Sequence, residues 1–171
     1  MVFDEMNRKI KKILNKKNKS KIICLTAYSK NIAAEVDKYA DITLVGDSLG
    51  SVLYNYNSTR DVTLTEMINH SKSVRLAVKK SLMVVDMPYN TYATNTSALK
   101  NAKKIIKYTK CDAVKLEGGK KIIKQIKFLI KNKIKVMGHL GLLPQTTKGK
   151  FKSKGKTNKE KKTIIKRCNI A

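Results

Sequence analysis

The sequence predicts an α/β protein with parallel strands, on three observations. Short apolar runs of four or five residues recur along the chain, each followed by a stretch with helically spaced apolar residues, and several runs end in a charged group. Regular strand–helix alternation implies parallel strands covered by their crossover helices. The 171 residues, 42% of them hydrophobic, suffice for one domain with a real core. They are few for a closed eight-stranded β/α barrel, which takes about 250 residues.

The elements follow in order. Residues 4–16 form an amphipathic helix, with Met6, Ile10, Ile13 and Leu14 on one side and lysines opposite, and the lysine-rich stretch 15–21 breaks it. Ile22-Ile23-Cys24-Leu25-Thr26 reads as a buried-type strand, from which Ala27-Tyr28-Ser29 leads into a helix over 31–39. The second strand is Ile42–Val45. It delivers Val45-Gly46-Asp47-Ser48-Leu49-Gly50, an acid, a hydroxyl and two glycines at a strand end, before a loop with Tyr54 and Tyr56. A helix over 64–78 can be capped by Thr63 or Thr65.

The third strand, Leu82–Asp86, is stopped by Met87-Pro88-Tyr89; the helix over 97–107 turns Leu99, Ala102, Ile105 and Ile106 inward. Ala113–Glu117 is the fourth strand, closed by Gly118-Gly119 and followed by a helix over 120–131. Residues 134–139 are the fifth. After Pro144 the composition shifts to Lys, Gly, Thr and Ser: residues 146–171 read as a lysine-rich loop and a terminal helix over 159–166, within a single domain 1–171.

The formal charge of +26 raises the question of nucleic acid. Arginine occurs only at Arg8, Arg60, Arg75 and Arg167, so 38 basic residues less these four leaves 34 lysines, scattered over every helix and loop. Phosphate and base recognition leans on arginine forks and aromatic stacking, yet aromatics are 6% and Trp is absent. The charge reads as a lysine-coated surface. Cys24, Cys111 and Cys168 have no metal-type spacing and an odd count, which fits free thiols in a reducing cytosol. No apolar run approaches the roughly 20 residues needed to cross a bilayer, and no secretory signal is expected.

Asp47, Asp86, Glu117 and His139 stand at or just past the carboxyl ends of different strands, and in a parallel sheet those ends share one face. Lys115 and Glu117, two apart, point to the same side. Each has a plainer reading alone. Asp47 or Asp86 serves equally as a turn former or helix cap, Lys115 with Glu117 as an internal ion pair, and His139 as a structural histidine; His70 is expected at the surface. Jointly, three carboxylates make an oxygen-rich site suited to Mg²⁺, beside a lysine able to hold a substrate carboxylate. That fits an enolising or aldol-type reaction on an oxo acid.

The motifs Leu25-Thr26-Ala27-Tyr28, Val45-Gly46-Asp47-Ser48-Leu49-Gly50, Val85-Asp86-Met87-Pro88-Tyr89, Asp112-Ala113-Val114-Lys115-Leu116-Glu117-Gly118-Gly119 and Val136-Met137-Gly138-His139-Leu140-Gly141-Leu142-Leu143-Pro144-Gln145 resemble the ketopantoate hydroxymethyltransferase family over residues 21–145, as do Thr63-Leu64, Met67 and His70. The resemblance implies a TIM-type (β/α)8 barrel of which about the first five units are present. It implies an enzyme of pantothenate biosynthesis, commonly a decamer, that moves a hydroxymethyl group from 5,10-methylenetetrahydrofolate to 3-methyl-2-oxobutanoate, giving 2-dehydropantoate.

By the same resemblance Asp47 and Asp86 are Mg²⁺ ligands, with Glu117 joining directly or through water. Ser48 and Lys115 contact the substrate carboxylate, Asp86 also lies near the oxo acid, and His139 lines the pocket. The family's general base is a glutamate on a following strand with no counterpart here; beyond Glu117 the only acid is Glu160. Residues 150–156 match only loosely the family's glycine-rich, aromatic segment. Roughly three β/α units of the barrel are therefore unaccounted for, whether the chain is a truncated product, one part of a split enzyme, or a piece of a longer protein. Two sheet edges are expected to be open and apolar.

Overall fold

A computed structural model describes residues 2–147 and 151–168. Residues 148–150 of the expected lysine-rich loop, and 169–171, lie outside the described residues. Five strands, β1 (Cys24–Thr26), β2 (Ile42–Val45), β3 (Leu82–Asp86), β4 (Ala113–Glu117) and β5 (Val136–His139), form one parallel sheet in sequence order. Neighbours in sequence are thus neighbours in space, the winding of a barrel wall, and the sheet is open along β1 and β5.

The register splits the sheet into two faces. Val45, Met83, Val85, Val114 and Leu116 point toward the helices α2 (Lys30–Tyr39), α4 (Leu64–Arg75), α5 (Asn95–Thr109) and α6 (Ile123–Lys131), meeting Ala33, Met67, Val74, Ala102, Ile105 and Leu129. Val45, Met83, Val85, Val114 and Leu116 are essentially inaccessible, and such burial contributes about 1.5–3 kcal/mol per large side chain.

The opposite face is layered along the strands. Its amino-terminal layers pair Ile42 with Leu82 and Leu44 with Val84 and Ala113, and α1 (Val2–Lys16) lays Ile10 and Ile13 on them. Its carboxyl-terminal layers pair Asp86 with Lys115, and Glu117 with His139. One surface therefore passes from apolar to ionic within two residues along β3, β4 and β5.

Several boundaries differ from expectation. Ile22 and Ile23 lie outside β1, whose residues are exposed rather than buried, Leu25 by 43%. A buried-type run needs neighbours on both sides, and β1 pairs only with β2. The motif after β2 winds into a short helix, α3 (Leu49–Leu53), where a turn was expected. Gly50 is required there, because a Cβ would come 2.5 Å from Val62 Cγ2.

The cap of α4 is Thr63, in a capping box with Glu66. The helix ends at Arg75, short of Val78, where the guanidinium turns to the Val78 carbonyl. A second capping box, Thr94 with Ser97, starts α5 at Asn95 rather than 97. The expected helix over 120–131 is 3-10 over Gly119–Ile122 and α-helical only from Ile123, since Gly118 at φ +143° gives no N-terminal cap. Ile134 and Lys135 precede β5. The last helix, α7, runs Asn158–Cys168, longer than 159–166. No helix among the described residues is long and apolar enough to cross a membrane.

Candidate active site

Asp47, Asp86 and Glu117 are 8%, 5% and 5% exposed, at the carboxyl ends of β2, β3 and β4. Asp86 is the hub: its Oδ1 receives Lys115 Nζ at 2.6 Å and its Oδ2 the Asp47 backbone N–H at 3.2 Å. Gly46 leaves room for the Ser48 hydroxyl, since a Cβ there would lie 3.0 Å from Ser48 Oγ, while Asp86 Oδ2 would be at ordinary contact distance. Neither the Asp47 nor the Asp86 carboxylate caps a helix, although Asp47 stands in the turn that leads into α3. Lys115 pairs with Asp86 across the ladder rather than with Glu117, as the register Asp86 to Lys115 requires.

Glu117 faces His139 instead, with Nδ1 3.3 Å from Oε2, while its buried Oε1 meets no hydrogen-bond donor among the described residues. Burial, and then the neighbouring Asp86 charge, push the Asp47 carboxyl up to about 6, against the Gln145 hydrogen bond and the Lys115 charge. Burial also raises Asp86 above the ordinary carboxylate range, partly countered by Lys115.

Ser48 begins α3 but caps nothing; its hydroxyl lies 2.8 Å from the Tyr28 hydroxyl. Tyr28 is held by His70, whose Nδ1–H donates to the Tyr28 carbonyl at 2.7 Å while Nε2 accepts from Tyr54 at 2.7 Å. A carbonyl can only accept, which fixes that tautomer. His70 is therefore half-buried and bonded at both nitrogens, not a surface residue; an isolated helix gives no sign that the loop after β1 folds over it.

Three further residues complete the site. Gln145, 3% exposed, donates to Asp47 Oδ2 at 2.7 Å and to the Met87 carbonyl at 3.0 Å, and its Oε1 accepts from the Tyr92 hydroxyl. Arg60 Nε grips the Gln145 carbonyl at 2.8 Å while its guanidinium lies over the Tyr89 ring. Gln145 and Tyr28 stand inside quoted motifs with no role attached; Tyr92 and Arg60 carry no sequence signal at all.

A divalent cation suits the donor chemistry. Three buried carboxylates face one lysine, and Glu117 Oε1 is an orphaned acceptor. As arranged, no three His, Cys, Asp or Glu side chains among the described residues are gathered closely enough to share an ion. Asp47, Asp86 and Glu117 are the residues that could hold one.

Five consecutive parallel β/α units, three of them with an acid at the strand end, define the class: the wall of a TIM-type β/α barrel. Solved structures agree on the fold. A 2,3-dimethylmalate lyase of the PEP mutase/isocitrate lyase superfamily superposes with a TM-score of 0.52 at 12% identity, covering 71% of this chain and 49% of that one. An oxaloacetate acetylhydrolase superposes with a TM-score of 0.52 at 10% identity, covering 69% and 47%.

The sequence is more specific. The model of the ketopantoate hydroxymethyltransferase family matches residues 7–171. The 3-methyl-2-oxobutanoate hydroxymethyltransferase of Pelagibacter ubique (strain HTCC1062) is 66% identical over 160 residues, 94% of this chain and 62% of that protein. That of Anaplasma marginale (strain St. Maries) is 48% identical over 151 residues, 87% and 54%. The chain belongs to the ketopantoate hydroxymethyltransferase family, and it spans about three-fifths and half, respectively, of these relatives' lengths.

Proposed function

We propose that the chain carries the metal- and oxo-acid-binding part of a 3-methyl-2-oxobutanoate hydroxymethyltransferase of pantothenate biosynthesis. The whole enzyme transfers a hydroxymethyl group from 5,10-methylenetetrahydrofolate to 3-methyl-2-oxobutanoate, yielding 2-dehydropantoate. The observation that carries this reading is the cluster of Asp47, Asp86 and Glu117, all buried, around Lys115 at the strand ends of a chain of this family.

Asp47 and Asp86 would hold Mg²⁺, with Glu117 directly or through water. Bound there, the ion would polarise the keto oxygen and acidify the adjacent carbon. Lys115 supplies a point charge for the substrate carboxylate, and Ser48, steadied by Tyr28, orients it. His139 lines the pocket beside Glu117. No residue of this chain is assigned the proton-accepting role; Glu160 lies on α7 and bonds the amides of Lys156 and Thr157. The remaining strands would come from a complementing polypeptide or further sequence, in a cytoplasmic homo-oligomer.

Calorimetry and NMR test this. The 171-residue chain is expected to bind Mg²⁺ and 3-methyl-2-oxobutanoate together, weakly, and to leave the hydrogen beside the keto group unexchanged in D₂O. No binding would overturn the site; rapid exchange would show that the chain holds its own base.

A further inference from the structure

Gln145 sits 98 residues from Asp47 in sequence, on the turn after β5, yet four residues from three segments converge on it. Its amide orientation is not free. The Met87 carbonyl and the Asp47 carboxylate are both acceptors, so both must face Nε2; the Tyr92 hydroxyl, the one donor present, takes Oε1. The single Tyr92 proton is shared between Gln145 Oε1 and the Glu117 carbonyl, 3.0 Å away, which ties the hydroxyl to the backbone of β4. Arg60 fixes the main chain of Gln145 from the other side. A side chain so anchored has one position, and its remaining N–H reaches a carboxylate that burial and Asp86 both disfavour.

We propose that Gln145 is a positioning residue: its amide, locked by Tyr92 and the Met87 carbonyl, clamps Oδ2 of Asp47 and sets the orientation in which that carboxylate meets a divalent cation. The inference rests on the functional reading above and adds a residue to it. Partners that orient metal-binding side chains typically govern affinity by about 10–100-fold. Gln145 does so from a turn beyond the last strand of the sheet, which makes the segment after β5 part of the metal site although it supplies no ligand.

The test uses Mn²⁺ as probe, with free ion followed by electron paramagnetic resonance, on the full 171-residue chain in the presence of 3-methyl-2-oxobutanoate. Gln145→Met keeps length and volume but removes both N–H donors; Gln145→Ala removes the volume as well. Both should weaken Mn²⁺ binding about tenfold or more, and Gln145→Met, which fills the same volume, should lower the thermal midpoint less than Gln145→Ala. Tyr92→Phe should cost only a few-fold, because the Met87 carbonyl still orients the amide. Wild-type affinity in Gln145→Met would overturn the proposal and assign Gln145 a packing role, even if Gln145→Ala bound poorly.

Should the wild-type chain bind no Mn²⁺, the functional reading fails instead. The clamp is then decided by metal-free crystals of Gln145→Met: a rotated Asp47 carboxylate supports it, and an unchanged one overturns it.

Discussion

Asp37 and Asp47 are buried almost equally, at 7% and 8% exposure, and the molecule treats them oppositely. Asp37, on α2, meets the loop that enters β3 at its amino end. It accepts from the backbone N–H groups of Lys79, Lys80 and Ser81 at 2.8–3.1 Å and from the Ser81 hydroxyl at 2.6 Å. Burial alone would raise its pKa, but these donors hold it below the ordinary carboxylate value. Asp47, at the carboxyl end of β2, has the Gln145 amide and a neighbouring carboxylate, and is pushed up to about 6. At the amino-terminal end the acid is satisfied by its loop, whereas at the carboxyl-terminal face burial and a neighbouring carboxylate outweigh the donors around Asp47.

The largest effect should come from removing each acid in turn. Asp37→Ala removes the shared acceptor of three backbone donors, on exposed Lys79 and Lys80 and on buried Ser81, at about 1–3 kcal/mol for each that finds no new partner. A loss of about 3–4 kcal/mol in urea unfolding is expected. Asp47→Asn should cost nothing, or stabilise the chain by about 1 kcal/mol, since it relieves repulsion with Asp86 while keeping an acceptor for Gln145. It should also abolish Mg²⁺ binding. If Asp47→Asn destabilised as much as Asp37→Ala, the contrast between the two faces would collapse.

pH sharpens the same contrast. A carboxyl raised from 3.8 to about 6 binds its proton more tightly in the folded state. Its contribution is therefore greatest below pH 4 and is lost as pH rises through 6, by up to about 3 kcal/mol. Asp37, lowered from 3.8, acts in the other direction: its contribution is present above pH 4 and disappears as pH falls below it. In metal-free buffer, the stability gap between wild type and Asp47→Asn should widen from pH 4 to 7. A gap independent of pH would mean that Asp47 is not held as described. Above pH 6, Mg²⁺ at ten times its dissociation constant should restore about 1.4 kcal/mol to wild type and nothing to Asp47→Asn.

The contrast also marks what sequence can convey. Strands β2 to β4 and their terminal acids are legible because short apolar runs flanked by helical periods have few other readings. β1 is misjudged because its burial depends on a neighbour rather than on its own residues. Asp37 looks like any acid on a lysine-rich helix, for nothing local shows that the loop before β3 will close on it. Gln145 and Tyr92 are silent for the same reason: their partners are 98 and 25 residues away. Charge placement at strand ends is local information, while the hydrogen bonds that orient those charges are tertiary.

The smallest effect concerns the hydroxyl pair of Tyr28 and Ser48. Tyr28→Phe removes one hydrogen bond in a half-buried position, so oxo-acid affinity should fall about fivefold, equivalent to about 1 kcal/mol, with little change in unfolding. His70 extends the argument, because it holds Tyr28 by the backbone. His70→Asn retains an N–H for the Tyr28 carbonyl and should bind the oxo acid nearly as well as wild type, whereas His70→Leu should match Tyr28→Phe. Titration calorimetry with Mg²⁺ present separates the cases. Wild-type affinity in all three variants would place Ser48 outside the substrate site, because its orientation would then not matter to the ligand. A loss in His70→Asn as large as in His70→Leu would point to the Tyr54 contact rather than to Tyr28, since only the Nε2 bond is missing from both.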